Sequence, residues 1–385
     1  MGLIDILTNQ ASWLLSYAVP FLFVLTVVVF FHELGHFLVA RWCGVAVKVF
    51  SIGFGREIFG FNDRHGTRWR VAWIPLGGYV KFVGDENAAS VPDQASMKDM
   101  TEREKAGNFH LKPLPKRAAV VAAGPIANFI LAVAIFAFTF TFIGQRITPA
   151  LVDAVTPGSA AEKSGFQPGD LILRIDGQKI DNFGEMQRIV STSPGRTLEF
   201  VVQRNDREVT MTAIPDRKEI IDRFGNKMNL GLLGVRRSTS ADDWVLQRYD
   251  PLTALWKGVE ETYFVIERTL SYLGDVIIGK EAADQLGGPL RIAQVSGQVA
   301  TAGFVALLHL AAVLSVSIGL LNLFPIPLLD GGHLLFYAIE AVRGRPLSDR
   351  ALEIGFRIGF AMVLMLMIFA TWNDLNHFGS LFGNL

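Results

Sequence analysis

Four long apolar runs divide the chain, at about residues 17–42, 116–143, 302–324 and 351–372. Each holds the roughly 20 apolar residues that an α-helix needs to cross the hydrocarbon core of a bilayer. The pattern therefore predicts a polytopic α-helical membrane protein with four transmembrane helices. The composition agrees with this prediction, since 50% of the 385 residues are hydrophobic and the mean hydropathy is +0.34.

Lysine and arginine are distributed unevenly around these runs. The segment from Arg41 to Arg117 holds 13 lysines and arginines, and Arg343, Arg345 and Arg350 lie between the third and fourth runs, whereas residues 1–16 and 373–385 contain neither lysine nor arginine. Because cytoplasmic loops carry the excess of these residues, we expect segments 43–115 and 325–350 on the cytoplasmic side. Both termini and segment 144–301 are then expected in the periplasm.

The periplasmic segment has a different composition from the spans. Between residues 150 and 215, short β-prone runs are separated by turn signals such as PGS, QPGD and DGQ. The stretch from Val155 to Gly177, VTPGSAAEKSGFQPGDLILRIDG, resembles the PDZ domain of bacterial proteases. We therefore expect a periplasmic α+β PDZ domain over 150–215. Such a domain adds an extended peptide or protein segment to a sheet edge; a purely steric shielding role is the alternative.

Residues 216–301 are predicted to contain amphipathic helices. In TALWKGVEETYFVIERTLSYLGDVIIG the apolar positions recur at helical spacing and the charged positions fall between them. This segment lies on the membrane surface or packs against the PDZ domain, and the sequence favours neither. The formal net charge is zero, so no nucleic-acid partner is expected, and the single cysteine excludes an intrachain disulfide.

The first span carries three ionisable residues that hydrocarbon would penalise, His32, Glu33 and His36. Residues four apart share one face of a helix, so both histidines can direct a ring nitrogen at one Zn²⁺. Glu33 is then placed to take a proton from the attacking water. This H-E-x-x-H pattern is typical of metal-dependent hydrolases.

A catalytic zinc needs a third protein ligand, and the sequence offers one after the third span. In NLFPIPLLDGGH, Pro325 and Pro327 interrupt the helix, and Asp330 follows between two leucines and two glycines. His36 precedes Arg41 by five residues, which places it near the cytoplasmic end of its span. Asp330 follows a span that runs inward, so both reach the same leaflet. His333 is the nearest rival ligand.

Taken in order, several motifs resemble those of the bacterial site-2 proteases, intramembrane zinc metalloproteases of the regulator of sigma-E protease type. They are HELGH, SIGFGREIFG, PLGGYVKF, GPIANF, the PDZ segment and NLFPIPLLDGG. By that resemblance one Zn²⁺ per chain is held by His32, His36 and Asp330, with Glu33 as the catalytic base. Many relatives of this class carry two tandem PDZ modules, whereas only one is recognisable here.

The resemblance also implies substrate-binding residues. Asn322 is expected to contact the substrate backbone or to steady the developing oxyanion, with an interhelical hydrogen bond as the alternative. Residues 51–82 are expected to form a membrane-associated β-sheet that holds an unwound substrate as an added strand; a plain cytoplasmic hairpin is the alternative. Gly53 and Gly55 would let the chain turn tightly there.

In the second span, Gly124, Pro125 and Asn128 match the family pattern. The small residues allow close helix approach, and Asn128 can support the site through hydrogen bonds. Ordinary helix packing explains the three residues equally well.

The activity implied is intramembrane endopeptidase cleavage within regulated proteolysis, in the bacterial inner membrane. The expected substrates are single-pass membrane proteins already trimmed outside, of the anti-sigma-factor or remnant-signal-peptide type. A PDZ-bearing membrane scaffold without proteolytic activity is the main alternative. A zinc transporter would need a polar path across the bilayer, and the second and fourth spans offer little beyond Asn128.

Overall fold

The computed structural model describes residues 3–85, 100–221, 227–237, 244–279, 283 and 287–382. Two compact units divide the chain. A helical unit comprises Met1–Ala137, Leu255–Thr269 and Leu286–Asn376, and a β-rich unit comprises Phe138–Ala254, Leu270–Gln285 and His377–Leu385.

The helices of the described residues have the following bounds: α1 Leu3–Trp42, α2 Glu102–Gly107, α3 Leu114–Phe138, α4 Ala160–Lys163, α5 Phe183–Ser191, α6 Pro251–Ile277, α7 Pro289–Thr301, α8 Phe304–Asn322, α9 Asp330–Arg343 and α10 Asp349–Phe382. A π-helical turn at Thr139–Ile143 prolongs α3. The strands are β1 Val47–Asn62, β2 Arg68–Phe82, β3 Gln145–Ile147, β4 Ala154–Val155, β5 Leu171–Ile175, β6 Gln178–Lys179, β7 Leu198–Arg204, β8 Arg207–Ala213, β9 Asp216–Ile221, β10 Lys227–Leu232, β11 Val235–Arg236 and β12 Val245–Gln247.

Four stretches within the described helices are long and apolar enough to cross a membrane, namely Leu15–Trp42, Leu114–Ile143, Phe304–Asn322 and Arg350–Asn376. The prediction of four such helices is confirmed. Their bounds differ from the predicted ones mainly at the termini, because α1 begins at Leu3 and α10 continues to Phe382. Most of the predicted tails, 1–16 and 373–385, therefore belong to helices.

Residues 325–350, which the sequence suggests are a cytoplasmic loop that contains the LDG motif, are largely helical. Helix α9 occupies Asp330–Arg343 and ends at Gly344, whose left-handed φ of 67° closes the helix. The aspartate in its first turn and the arginine in its last turn complement the helix dipole. These helix-end signals are present in the sequence, but Arg343, Arg345 and Arg350 favoured the interpretation of the segment as a cytoplasmic loop.

Hairpin β1–β2 is curled so that part of it has neighbours on both sides. Residues 49–52 pair with 78–81 and also with 68–71, while residues 57–62 pair with 68–72. The strand segment 78–82 therefore lies at an edge of the described sheet. Fully buried Phe50 stacks on Trp69 with 4.2 Å between ring centroids and contacts Phe37 of α1 edge-on. This aromatic cluster fastens the hairpin to the first span.

The β-rich unit contains a four-stranded antiparallel sheet in the order β6-β5-β7-β8. Its apolar core includes Ile172, Ile175, Phe200 and Val202, together with residues of α4 and α5. The sequence places the domain end at 215, yet β11 pairs with β4, so this unit reaches at least Arg236. The short alternating strands within 216–247 were missed because each is at most six residues long; the helices predicted for the rest of 216–301 are present as α6 and α7.

Candidate metal centre and active site

His32, His36 and Asp330 converge in the helical unit. Nε2 of His32 lies 3.2 Å from Nε2 of His36 and 3.2 Å from Oδ2 of Asp330, and the distance from His36 Nε2 to that oxygen is 3.5 Å. Both histidines are at least 90% buried, with 8% and 9% of their surface exposed. The one-turn spacing of the histidines on α1 and the position of Asp330 at the start of α9 produce this arrangement.

The donor set fits a metal ion. Nδ1 of His36 donates to the carbonyl of Val120 at 2.8 Å, so Nε2 of that ring carries a free lone pair. Oδ2 of Asp330 is buried and has no hydrogen-bond donor within the described residues. Lone pairs that face one another without protons between them repel, whereas a cation among them satisfies all three. Two imidazoles and a carboxylate are the ligand types of catalytic zinc sites.

Tight backbone packing sets the position of Asp330. Leu328 adopts an unusual φ of +90° in the turn that contains both prolines. A Cβ on Gly331 or Gly332 would collide with the carbonyls of residues 323–326, and a Cβ on Gly359 of α10 would collide with the Pro327 carbonyl. The turn between α8 and α9 is therefore held from both sides, which keeps the carboxylate in place.

The second span supports the two histidines from behind. A Cβ on Gly124 would lie 2.9 Å from Cε1 of His32 and closer still to the ring of His36. Asn128, one turn further along α3, is fully buried, and its Nδ2 lies 3.3 Å from Nδ1 of His32. Ser315 of α8 donates to the main-chain carbonyl of Asn128 at 2.9 Å, which fixes α3 beside the third span. Pro125 is buried between these two contact points.

Glu33 lines the same cavity of about 340 Å³ as the three converging residues. Its carboxylate accepts a hydrogen bond from the backbone of Val80, in the edge segment 78–82. A Cβ on Gly78 would lie 2.8 Å from the Ser51 carbonyl and 3.3 Å from Cγ of Glu33. Glycine at this position thus lets the strand edge approach the acidic side chain closely.

Asn322 also lines the cavity, at the end of α8, and its role toward a substrate stays a prediction. Gly53 and Gly55 do not line it. Both have φ near +87° and flank Phe54, whose ring does line the cavity. Their contribution is therefore to the bend that presents Phe54, in keeping with the predicted tight turn.

Sequence reasoning missed the cavity residues Gly78, Tyr79 and Leu76 and gave His333 no role beyond that of a rival ligand. His333 lines the cavity but lies outside the group of described residues whose ligand atoms are within 4.8 Å of one another. The glycine pair in PLGGYVKF was the available signal for the strand edge, because a close backbone approach requires glycine.

An ion pair ties α9 to α3 at the basic end of the site. The guanidinium of Arg117 donates to both oxygens of Glu340, at 2.5 and 3.2 Å, and lies over the ring of Tyr337. Because both partners are less than 20% exposed, screening by solvent is limited. This bridge holds the helix that begins with Asp330.

Comparison with known proteins identifies the family of the chain. The sequence profile of Peptidase family M50 matches residues 20–366. A Rhizobium meliloti protein described as a candidate zinc metalloprotease is 50% identical over 94% of this chain and 97% of its own length. The metalloprotease MmpA of Caulobacter vibrioides is 42% identical over 94% of this chain and 95% of its own length.

Among solved structures, the PDZ domain of an SdrC-like protein from Listeria monocytogenes is 21% identical and covers 21% of this chain and 82% of that domain. Its TM-score of 0.17 is too low to assign a fold. The family profile and the two metalloprotease relatives, in contrast, match nearly the whole chain. From these, the chain belongs to Peptidase family M50 and is a zinc metalloprotease.

Proposed function

We propose that the protein is an intramembrane endopeptidase that cleaves the transmembrane segments of single-pass membrane proteins already trimmed outside the membrane. The observation that carries this proposal is the convergence of Asp330 with His32 and His36, beside Glu33. Both histidines and Glu33 lie on a helix apolar enough to span the bilayer. A hydrolytic site on such a helix is suited to substrates that reach it within the membrane.

In this proposal His32 and His36 supply one ring nitrogen each, and Asp330 one carboxylate oxygen, to the metal. The chemistry that a bound Zn²⁺ supplies is Lewis acidity toward the scissile carbonyl and the attacking water. Glu33 is the general base that removes a proton from that water and later delivers it to the leaving amine. The Val80 N–H orients the Glu33 carboxylate for both transfers.

A transmembrane helix masks its peptide bonds with internal hydrogen bonds, so the substrate must unwind before cleavage. An unwound substrate segment has lost its internal backbone hydrogen bonds. The edge segment 78–82 can replace them by pairing with the substrate as an added strand. Phe54 and Tyr79 stack on each other with 6.0 Å between ring centroids at this edge and provide an apolar wall for side chains. Asn322 is proposed to donate its amide N–H to the carbonyl oxygen that becomes negative.

The charge distribution supports an inner-membrane location, with the active site toward the cytoplasm and the β-rich unit in the periplasm. There the β-rich unit is proposed to act as a PDZ domain that excludes bulky untrimmed proteins or binds a peptide segment. Anti-sigma factors and remnant signal peptides are the proposed substrate types.

The test is co-expression of wild type or Glu33→Gln with tagged single-pass proteins that keep only short outer stubs. A smaller cytoplasmic fragment should form with wild type and be absent with Glu33→Gln. Glu353→Gln is the matched control, since Glu353 is exposed on α10 and pairs only locally with Arg357, so it should cleave like wild type. Equal fragments from wild type and Glu33→Gln would remove Glu33 from catalysis and favour a scaffold role.

A further inference from the structure

His333 lies in the proposed active-site cavity but takes no part in the mechanism above. It follows Asp330 by three residues in α9, so both side chains project from one face of the helix, about 4.5 Å apart along its axis. A side chain in that position reaches the space next to the converging ligand atoms.

The protein groups around His333 give its polar ring no hydrogen-bond partner within the described residues. The ring packs against Phe356 of α10, with 5.5 Å between ring centroids and 53° between planes. Within the described residues its ring nitrogens have no hydrogen-bond partner. His333 is partly buried, and a polar ring that is partly removed from water gains free energy when a group in the cavity hydrogen-bonds to it. The cavity is the space in which a substrate group would do so.

Peptide hydrolysis creates a partner of the right kind. When water attacks the scissile carbonyl, its oxygen forms a bond to the carbon, its proton passes to Glu33, and the carbonyl oxygen becomes an oxyanion. Collapse of this intermediate breaks the C–N bond, and the proton passes from Glu33 to the amine. A preorganised N–H donor near the oxyanion lowers the barrier, because it needs no reorganisation during the reaction.

We propose that His333 is a catalytic residue whose ring N–H donates a hydrogen bond to this oxyanion, as a second donor beside Asn322. This inference rests on the proposed endopeptidase function. His333 exchanges no proton in the reaction; it only stabilises the developing charge. Asn322 at the end of α8 and His333 in the first turn of α9 flank Asp330 along the chain, so both donors are positioned by the same tight turn.

The experiment compares purified wild type, His333→Phe, His333→Gln and Glu33→Gln, with the tagged stub protein that wild type cleaves best as the probe. Phenylalanine retains ring packing against Phe356 but cannot donate, and glutamine restores an N–H. We expect His333→Phe to lower kcat by about 10²–10³-fold with KM within threefold of wild type, as for loss of one oxyanion donor. His333→Gln should recover at least tenfold of that loss.

Two further measurements separate this role from others. Zinc content and thermal unfolding of His333→Phe should equal those of wild type, and binding of the probe to Glu33→Gln should be unchanged when His333→Phe is added. His65→Phe is the matched control, because His65 is exposed at the hairpin tip, and it should cleave like wild type.

Unchanged kcat in His333→Phe would overturn the proposal in favour of packing, and loss of zinc would overturn it in favour of a ligand role. Equal loss of kcat in His333→Phe and His333→Gln, with zinc retained, would also overturn it. Failure of the proposed function itself looks different, since wild type and Glu33→Gln would then behave alike whatever His333 does.

Discussion

Nδ2 of Asn128 lies 3.3 Å from Nδ1 of His32, while Oδ1 of the same amide is buried and has no hydrogen-bond partner in the part of the chain that the structure describes. A half-turn of the amide exchanges these two atoms and is compatible with the same side-chain shape. Oδ1 then accepts the Nδ1–H of His32, and Nε2 of His32 is left with a free lone pair, as in His36. Asn128 in this orientation selects the ring form that a metal requires.

Asn128→Leu should weaken zinc binding by about 10–100-fold, because loss of the hydrogen-bond partner of a ligating histidine typically lowers metal affinity by that factor. Asn128→Asp retains an oxygen facing Nδ1 and should bind zinc within a few-fold of wild type. Competition with a chelator of known affinity measures both. Equal zinc retention in Asn128→Leu and wild type would show that the amide only packs between helices.

Gly124→Ala should displace both histidine rings, because the added Cβ meets His32 and His36 directly. Overpacking of this kind costs about 1–3 kcal/mol, and we expect reduced zinc content and reduced cleavage. Gly274→Ala is the control, since Gly274 in α6 has open space around it and should leave zinc content unchanged. Metal analysis of the two purified variants checks the prediction, which full zinc occupancy in Gly124→Ala would contradict.

Asp374 is fully buried in α10 and accepts hydrogen bonds from the N–H groups of Gly288, Leu290 and Arg291, at 2.8, 3.1 and 3.2 Å. It therefore caps the first turn of α7 from another helix. Asp374→Ala should lower the free energy of unfolding by about 2 kcal/mol, because three backbone donors lose their acceptor and those of Gly288 and Arg291 are buried.

Thermal unfolding in detergent micelles measures that loss. Asp250→Ala provides a comparison, because Asp250 is the exposed N-cap residue of α6 itself. The decrease in Tm should therefore be smaller for Asp250→Ala than for Asp374→Ala. If Asp250→Ala destabilised the protein more than Asp374→Ala did, the buried cap would not be the stronger one.

Asp63 at the tip of the β1–β2 hairpin should make stability depend on pH. Burial opposes its ionisation, but hydrogen bonds from the backbone of Thr67 and His65 and from Trp69, with the charge of Arg41, outweigh it and hold the pKa below its usual range. A carboxyl whose pKa is lower in the folded state stabilises the protein above its unfolded pKa, near 4, and loses that contribution as pH falls through the folded value. Asp63→Asn should therefore lower Tm at pH 6 and differ progressively less from wild type toward pH 3. A Tm difference independent of pH would contradict this.

Local signals in the sequence were sufficient for much of the fold and part of the site. The four apolar runs predicted the four helices that are long and apolar enough to span a membrane, because length and hydropathy alone decide whether a helix suits a bilayer. The spacing of His32 and His36 predicted that their rings share a face, because helical periodicity is a local property. The strands in 216–247 were missed because elements of at most six residues depend on their packing. The helix at 330–343 was missed although its end signals, Asp330 and Gly344, are present in the sequence.

The sequence by itself determined which residues can bind a metal and take a proton, because chemistry is a property of side-chain type. Only the tertiary structure decided that Asp330 meets His32, that the 78–82 edge reaches Glu33, and that His333 opens into the same cavity. These residues lie far apart along the chain, and their meeting depends on a tight proline turn and on glycines that admit close backbone contact. Such distances follow from packing between helices and sheet, which no local pattern encodes.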